Sequence, residues 1–459
     1  PFTKEEISWA LRQGVMNHTL IPVLCGTNQI GIQIVLNSMV AFFSAAGDMV
    51  NSMVVKNEET GEDDLIGFDE SLPTSLFIFK TIADPFVGRI SLFKVCTGAV
   101  HTGMSLYNVN KKEVEKVNKL YIMKGKELIE TDTLNAGDIG ALSKLTYTQT
   151  NDTLCTLDYR VVYEPITFSH PYFGKAIKPV GKANEEKIAN ALTKLLEEDP
   201  TLIFENNPET KQQCLYGIGD IHIETVVAKL KERFKIDVAL DDIIIPYRET
   251  IRGSVTHRYK YKKQSGGHGQ YGDVEITFEP LNDYSVPFVF EEKVFGGAVP
   301  RAYFPAVEKG LVEATKTGVL AGYPTLGIKA TLMDGSYHSV DSSEMAFKTA
   351  TIMCFKEAIP KAKPVLLEPF VTLHVYVDEE YTGDIMGHFN KKRARVMGSD
   401  ILEDGMLKIT AEAPQAEVMN YAVDLRSMTQ GQGFFEMEFL GYEFAPEIVT
   451  NRIIEEHKN

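Results

Sequence analysis

The stretch Lys263–Val274, KQSGGHGQYGDV, places Gly266, Gly267, Gly269 and Gly272 within seven residues at the end of a basic run. From Ile251 to Gly272 the sequence carries five basic residues (Arg252, Arg258, Lys260, Lys262, Lys263) and no acidic one. A side-chain-poor loop of this kind lets backbone lie close against another surface, and neighbouring lysines suit phosphate contacts. The simpler reading is a long hairpin turn whose lysines guard a strand edge. Nucleotide chemistry of the Walker type is excluded, because a phosphate loop needs Lys-Ser/Thr after its last glycine. Here Asp273 follows Gly272, and the nearest other outline, GAVHTGMS, has Met104 where the lysine belongs.

Three further clusters carry chemistry-bearing residues. In DGSYHSVDSSEMAF, Asp334 to Phe347, Asp341 and Glu344 stand three apart before an apolar run, the spacing of a helix capping box. His338 precedes them in a polar loop, unaccompanied by a Cys or Ser nucleophile motif or by metal-ligand spacing. In KKRAR, Lys391, Lys392 and Arg393 fit the C-terminus of a helix through its dipole; the alternative is an RNA phosphate contact. LCGTN, with Gly26, Thr27 and Asn28, follows a short apolar run, as a loop does after a buried strand.

The elements that must position these residues are spread over 459 positions, too many for one hydrophobic core and enough for three or four domains. Apolar residues make up 44% and charged residues 24%, an ordinary globular composition. The net charge of −16 argues against indiscriminate polyanion binding, so the basic run implies an approach with one face only. Five scattered cysteines form no CxxC pair, which speaks against a zinc site or a disulfide framework and for a reducing cytoplasm. No apolar run reaches the roughly 18 residues of a membrane span. Neither a methionine nor a basic leader stands at Pro1, which suggests a chain that begins inside a longer product.

Residues 1–50 predict helix, strand, helix (KEEISWALRQG, LIPVLCGT, IGIQIVLNSMVAFF), one edge of an α/β domain. The acidic stretch 57–70 predicts an exposed linker. Short Val-, Ile- and Phe-rich strands with Gly turns over 71–165 predict a β-barrel. Residues 166–246 follow the order βαββαβ of a ferredoxin-like unit. Its first helix, NEEKIANALTKLLEED, has Asn184 as N-cap and Ile188, Leu192, Leu195 and Leu196 on one face. Residues 364–459 repeat that order. Between the copies lies an α+β segment, 247–363, with helices expected after Pro300 and Asp341, and this segment holds the glycine-rich loop.

In this order the pieces resemble the elongation factor G family of translational GTPases, over almost the whole chain. FKTIADPFVGRISLFKVCTGAV resembles its barrel domain II, and EEDPTLIFENNPETKQQCLYGIGDIHIE its domain III. YKKQSGGHGQYGDVEI with DGSYHSVDSSEMAFK resembles domain IV, and EYTGDIMGHFNKKRARVMG domain V. Residues 1–56 then resemble the last strand and helices of the GTPase domain, with Gly26, Thr27 and Asn28 at its guanine-contacting loop.

The resemblance implies a ribosome-binding factor that promotes tRNA–mRNA translocation, acting as a monomer in the cytoplasm with ribosomal RNA and proteins, tRNA and mRNA as partners. It implies GTP and Mg2+ as cofactors of a full-length parent only: this sequence lacks the phosphate loop, the switch regions and Asn-Lys-x-Asp, so it should not hydrolyse GTP. It places Gln264, Ser265, Gly266, Gly267, His268, Gly269, Gln270, Tyr271 and His338 at a tip that enters the ribosomal decoding site. Lys260, Lys262 and Lys263 would meet phosphates there, and Lys391, Lys392 and Arg393 elsewhere on RNA; no catalytic residue or metal ligand is implied. His268 stands where common members have arginine, and Ser339 where they have glutamate. GGHGQYG thus resembles a divergent bacterial paralogue. A ribosome protection or recycling factor of the same build, or a nucleotide-independent RNA-binding scaffold, are the competing readings.

Overall fold

A computed structural model of the chain describes residues 2–27, 30–48, 53–84, 88–181, 185–263, 269–403 and 405–458. Asn28, the helix cap Asn184 and the loop residues Gln264, Ser265, Gly266, Gly267 and His268 lie outside them. The chain divides into two compact units. One comprises Pro1–Ser169, Pro179–Ile203 and Val226–Val238, the other His170–Lys178, Phe204–Thr225 and Ala239–Asn459.

In the first unit, helices Lys4–Met16 and Ile32–Phe42 form as expected, the first closed by a capping box between Thr3 and Glu6. The strand expected at LIPVLCGT does not form. A strand needs a hydrogen-bonded neighbour; among the described residues this stretch makes only an isolated bridge from Thr27 to Gly31, and Ile21 and Val23 are exposed. The expected barrel is an eight-stranded antiparallel sheet that runs from Glu113–Lys116 at one end to Glu127–Thr131 at the other. Leu106, near one end, and Leu120, near the other, share one core cluster with Leu76, Phe93 and Leu142. Membership of one cluster requires the sheet to curl round on itself.

The acidic linker expected at 57–70 is instead part of a sheet. Met53–Asn57 pairs with Asp63–Ile66 and with Val161–Tyr163. Asn57 Oδ1 accepts from the amides of Glu59 and Thr60 to make the turn, and Val55, Ile66 and Tyr163 are buried. Charge misled the expectation because the acids stand on the outside of a hairpin that buries Val55 and Ile66 while Val54 and Leu65 stay exposed.

Both βαββαβ copies are present. In the first, the strands line up as Ile203–Asn206, Gln213–Gly217, Phe173–Pro179 and Val238–Asp241. In the second they line up as Arg395–Ile401, Leu407–Pro414, Pro364–Val377 and Phe434–Phe444. The spatial order is second, third, first, fourth in each, so the sequence repeat is a repeat of topology. The helix Glu185–Glu198 buries Ile188, Ala191, Leu192 and Leu195, while Leu196 is half-buried. A closing helix, Glu447–Lys458, was not anticipated.

The segment between the copies is a four-stranded sheet, in the order Val255–Lys263, Gln270–Pro280, Ile328–Ser336, Phe288–Glu292. Helices Phe304–Ala314 and Glu344–Ala358 form where expected, and Phe278, Val307, Leu332, Phe347 and Phe355 fill the core. At its base the buried Glu249 (2% exposed) accepts hydrogen bonds from the amides of Leu320 (2.8 Å), Ala321 (2.9 Å) and Tyr323 (3.2 Å). Removing the carboxylate strands three donors, at about 1–3 kcal/mol. Glu249→Ala should therefore speed amide hydrogen exchange at Leu320 and Ala321 by roughly 5- to 150-fold. Unchanged exchange would show that the carboxylate does not hold this loop.

Candidate nucleic-acid interface

The basic strand Val255–Lys263 alternates. His257, Tyr259 and Tyr261 are half-buried, while Arg258, Lys260 and Lys262 stand exposed with Lys263 at the end. Period-two alternation is what a strand imposes, so the cations collect on one face. The five basic residues counted in the sequence do not act alike. Arg252 lies over the Phe444 ring at 4.1 Å. Arg258 donates to Asp273 through Nη2 (2.8 Å) and Nε (3.1 Å), and reaches Asp334 at 3.3 Å. Lys260, Lys262 and Lys263 remain for an external anion.

Asp273 has no exposed surface. Burial alone would push its carboxyl up; hydrogen bonds from Arg258 and Ser336, with the charges of Arg258 and Lys260, hold it below the ordinary carboxylate value. Ser336 Oγ donates to Asp273 at 2.5 Å and lies 2.7 Å from the Tyr271 hydroxyl. The network thus ties the basic strand, the central strand and the strand that leads to His338.

Beyond it the two expected tip loops are joined directly. Asp341 Oδ1 accepts from the Gly269 amide (3.0 Å), and the Asp341 carbonyl from the Tyr271 amide (2.8 Å). Ser342 Oγ donates to the Tyr271 carbonyl (3.0 Å) and accepts from the His338 amide (2.8 Å). The expected capping role of Asp341 is thereby corrected: Ser343 caps the helix by accepting from the Ala346 amide, leaving Asp341 for the loop. Sequence reasoning missed this because a Ser two residues later satisfies the cap equally well. Gly272 has a separate reason to be glycine, since a Cβ there would meet the Ala346 carbonyl oxygen at 2.6 Å.

The half-exposed His338 ring accepts through Nδ1 from the amides of Val340 (3.3 Å) and Asp341 (3.1 Å). In the neutral ring that network assigns the proton to Nε2, the nitrogen away from these amides. Tyr271 lies beside it, ring centres 6.1 Å apart, with Lys260 Nζ 6.0 Å from the tyrosine centroid. Gln270 Oε1 accepts from the Tyr261 hydroxyl at 3.0 Å. The described part of the tip therefore brings Gly269, Gln270, Tyr271 and His338 together beside Lys260.

The other residues singled out from the sequence lie elsewhere. Arg393 is committed to two carboxylates, Glu368 (2.8 and 2.9 Å), itself buried, and Glu417 (3.1 Å). Lys392 reaches Asp424 at 3.3 Å, and Lys391 is exposed. Of the three cations expected to meet phosphate here, Arg393 and Lys392 are thus paired with carboxylates, and Lys391 stands exposed. At Gly26–Gly31 the Thr27 amide donates to the Ile30 carbonyl (2.6 Å) and its hydroxyl accepts from the Ile30 amide (3.0 Å). Both groups of Thr27 thus bond to Ile30 within the described part of this loop. Among the described residues no group of three or more His, Cys, Asp or Glu is placed to hold a metal ion. None of the described helices is long and apolar enough to cross a membrane.

A multidomain body of a curled sheet, two ferredoxin-like copies and an intervening domain with a basic, glycine-bearing end is the architecture of a translation factor. Residues 73–157 match the family description "Elongation factor G domain 2" and residues 168–242 "Elongation Factor G, domain III". Residues 244–363 match "Elongation factor G, domain IV" and residues 365–453 "Elongation factor G C-terminus". A crystal structure of a protein from Thermus thermophilus aligns over 100% of this chain at 32% identity, with a TM-score of 0.74. The alignment spans 66% of that protein's chain. The chain belongs to the elongation factor G family.

The depressed Asp273 carboxyl has a signed consequence. Its contribution to stability is full above the unfolded-state value of about 3.9 and is lost as pH falls through the lower folded value. In urea unfolding at pH 3 to 7, followed by exchange of the Val274 amide, Asp273→Asn should remove this acid-side loss and cost about 1–3 kcal/mol at pH 7. Parallel curves for mutant and parent would mean the carboxylate is not held charged by Arg258.

Proposed function

We propose that this chain is the ribosome-engaging part of an elongation factor that promotes movement of tRNA and mRNA, with the end built from Lys260 to Tyr271 and His338 facing RNA. The observation that carries the reading is the pair of loops locked to each other by Asp341 and Ser342, beside a face of three exposed lysines in an acidic protein. Glycine lets the backbone approach closely, lysines meet phosphates, and neither reads sequence, which suits a factor that must accept every codon. The mechanism is steric and electrostatic: a stiff end occupies space that tRNA and mRNA would otherwise re-enter. Nucleotide hydrolysis is assigned to the GTP- and Mg2+-binding region of a longer parent, since this sequence has no phosphate loop.

Toeprinting on pre-translocation ribosomes tests this with the parent protein under GTP, a non-hydrolysable analogue or no nucleotide. We expect GTP-dependent movement, slowed about tenfold or more by His338→Ala while ribosome binding changes little. Binding without movement would favour protection or recycling instead. Reversing Lys260, Lys262 and Lys263 to Glu should lower the slope of log affinity against log salt by roughly 0.7–0.9 for each contact removed. An unaltered slope would remove these lysines from the interface.

A further inference from the structure

Strand directions bring a third loop to the end that carries the other two. Lys263 faces Gln270, and Asp273 faces Ser336, so the strand Ile328–Ser336 ends at the glycine-rich loop. Phe288–Glu292 runs parallel to it, with Glu292 opposite Leu332, and so ends the same way. The segment 293–303, KVFGGAVPRAY, therefore leaves the sheet beside Leu332, in the direction in which the neighbouring strand runs on to Ser336. Its anchors are specific: the Lys293 amide donates to the Leu332 carbonyl, Val299 packs on Gly335, and the Tyr303 hydroxyl donates to the Ser342 carbonyl.

Within this loop Val294 and Val299 turn into the core, and Phe295 between them is 93% exposed. Gly296 and Gly297 follow with φ of 68° and 72°, a left-handed pair that side chains resist, with open space around both. A lone exposed apolar residue is ordinary. This one is a large aromatic held outward by a backbone that only glycine adopts easily, in a loop with two inward-facing valines. Its segment carries Lys293 and Arg301 and no acid. Lys293 Nζ lies 3.9 Å from Glu291, and Lys260, Lys262 and Lys263 stand on the strand at the other edge of the same sheet; within the segments 259–272, 293–303 and 335–343 the sequence has one acid, Asp341, in a chain of net charge −16. Exposed aromatics among cations are how proteins hold unpaired nucleic acid, stacking at about 1–3 kcal/mol per base.

We propose that the loop 293–303 is a third contact element of the RNA-facing end, and that Phe295 stacks on an unpaired nucleobase of RNA. This rests on the ribosome reading above. The test is chemical footprinting of the chain on small ribosomal subunits that carry mRNA and tRNA, comparing Phe295→Ala, Phe295→Tyr and Phe295→Leu with the parent sequence. Phe295→Ala should restore reactivity at one or two protected bases, leave the other protections in place, and weaken binding about 5- to 150-fold. Tyrosine should preserve both protection and affinity; leucine should not. Protections unchanged in Phe295→Ala, or leucine as good as tyrosine, would overturn stacking, the latter pointing to apolar contact with a ribosomal protein. No protection by the parent sequence at any base would instead overturn the ribosome reading, and this proposal with it.

Discussion

Asp273 is a carboxylate closed off from water where three strands meet, and everything at the working end grows from that point. An unpaired charge there would cost several kcal/mol. It is stable because Arg258 grips it from the neighbouring strand with two nitrogens and Ser336 donates from the other side. Those bonds fix the relative register of the glycine-rich hairpin and of the strand leading to His338. Tyr271 joins the same network through Ser336, so the residue that carries the Asp341 and Ser342 contacts is itself anchored below. The described residues at this end of the domain are thus linked back to one buried ion pair at its root.

The same device recurs where loops must be held without bulk. Glu115 in the curled sheet accepts from the amides of Thr146, Tyr147 and Thr148, as Glu249 does for the loop 320–323. Each buried carboxylate replaces water with several converging backbone donors, which is how a charge is tolerated inside a protein. In the C-terminal copy the partner is Arg393, spanning Glu368 and Glu417. A residue two positions on, Arg395, reaches Glu412 and Glu443 across the sheet. Many of the cations a binding surface would use are therefore spent internally. The few left exposed on the basic strand gain meaning from that.

On the proposed reading, three loops would divide the work of meeting RNA by residue type. Lysines supply long-range attraction that any polyanion satisfies. Glycines supply close approach, and His338 and Phe295 supply flat surfaces. Such a set would hold RNA by charge and shape with little dependence on sequence.

The sequence by itself determined the element types, their order, the βαββαβ repeat and the family, because hydrophobic periodicity and long ordered motifs are local properties. It also marked the glycine-rich loop and His338, since both are local clusters of unusual composition. It misjudged the acidic stretch 57–70, where charge masked a hairpin, and LIPVLCGT, where an apolar run has no neighbour to pair with. Three things were decided only by the tertiary structure. Asp341 binds the facing loop rather than its own helix, a choice between two satisfied caps that depends on what lies opposite. Arg258 and Arg393 are tied to carboxylates that the fold brings to them, Arg258 while remaining on the exposed face of its strand. And the loop around Phe295 leaves the sheet in the direction of the glycine-rich end because one strand pairs parallel to its neighbour, a pairing across about 40 residues that no local pattern encodes.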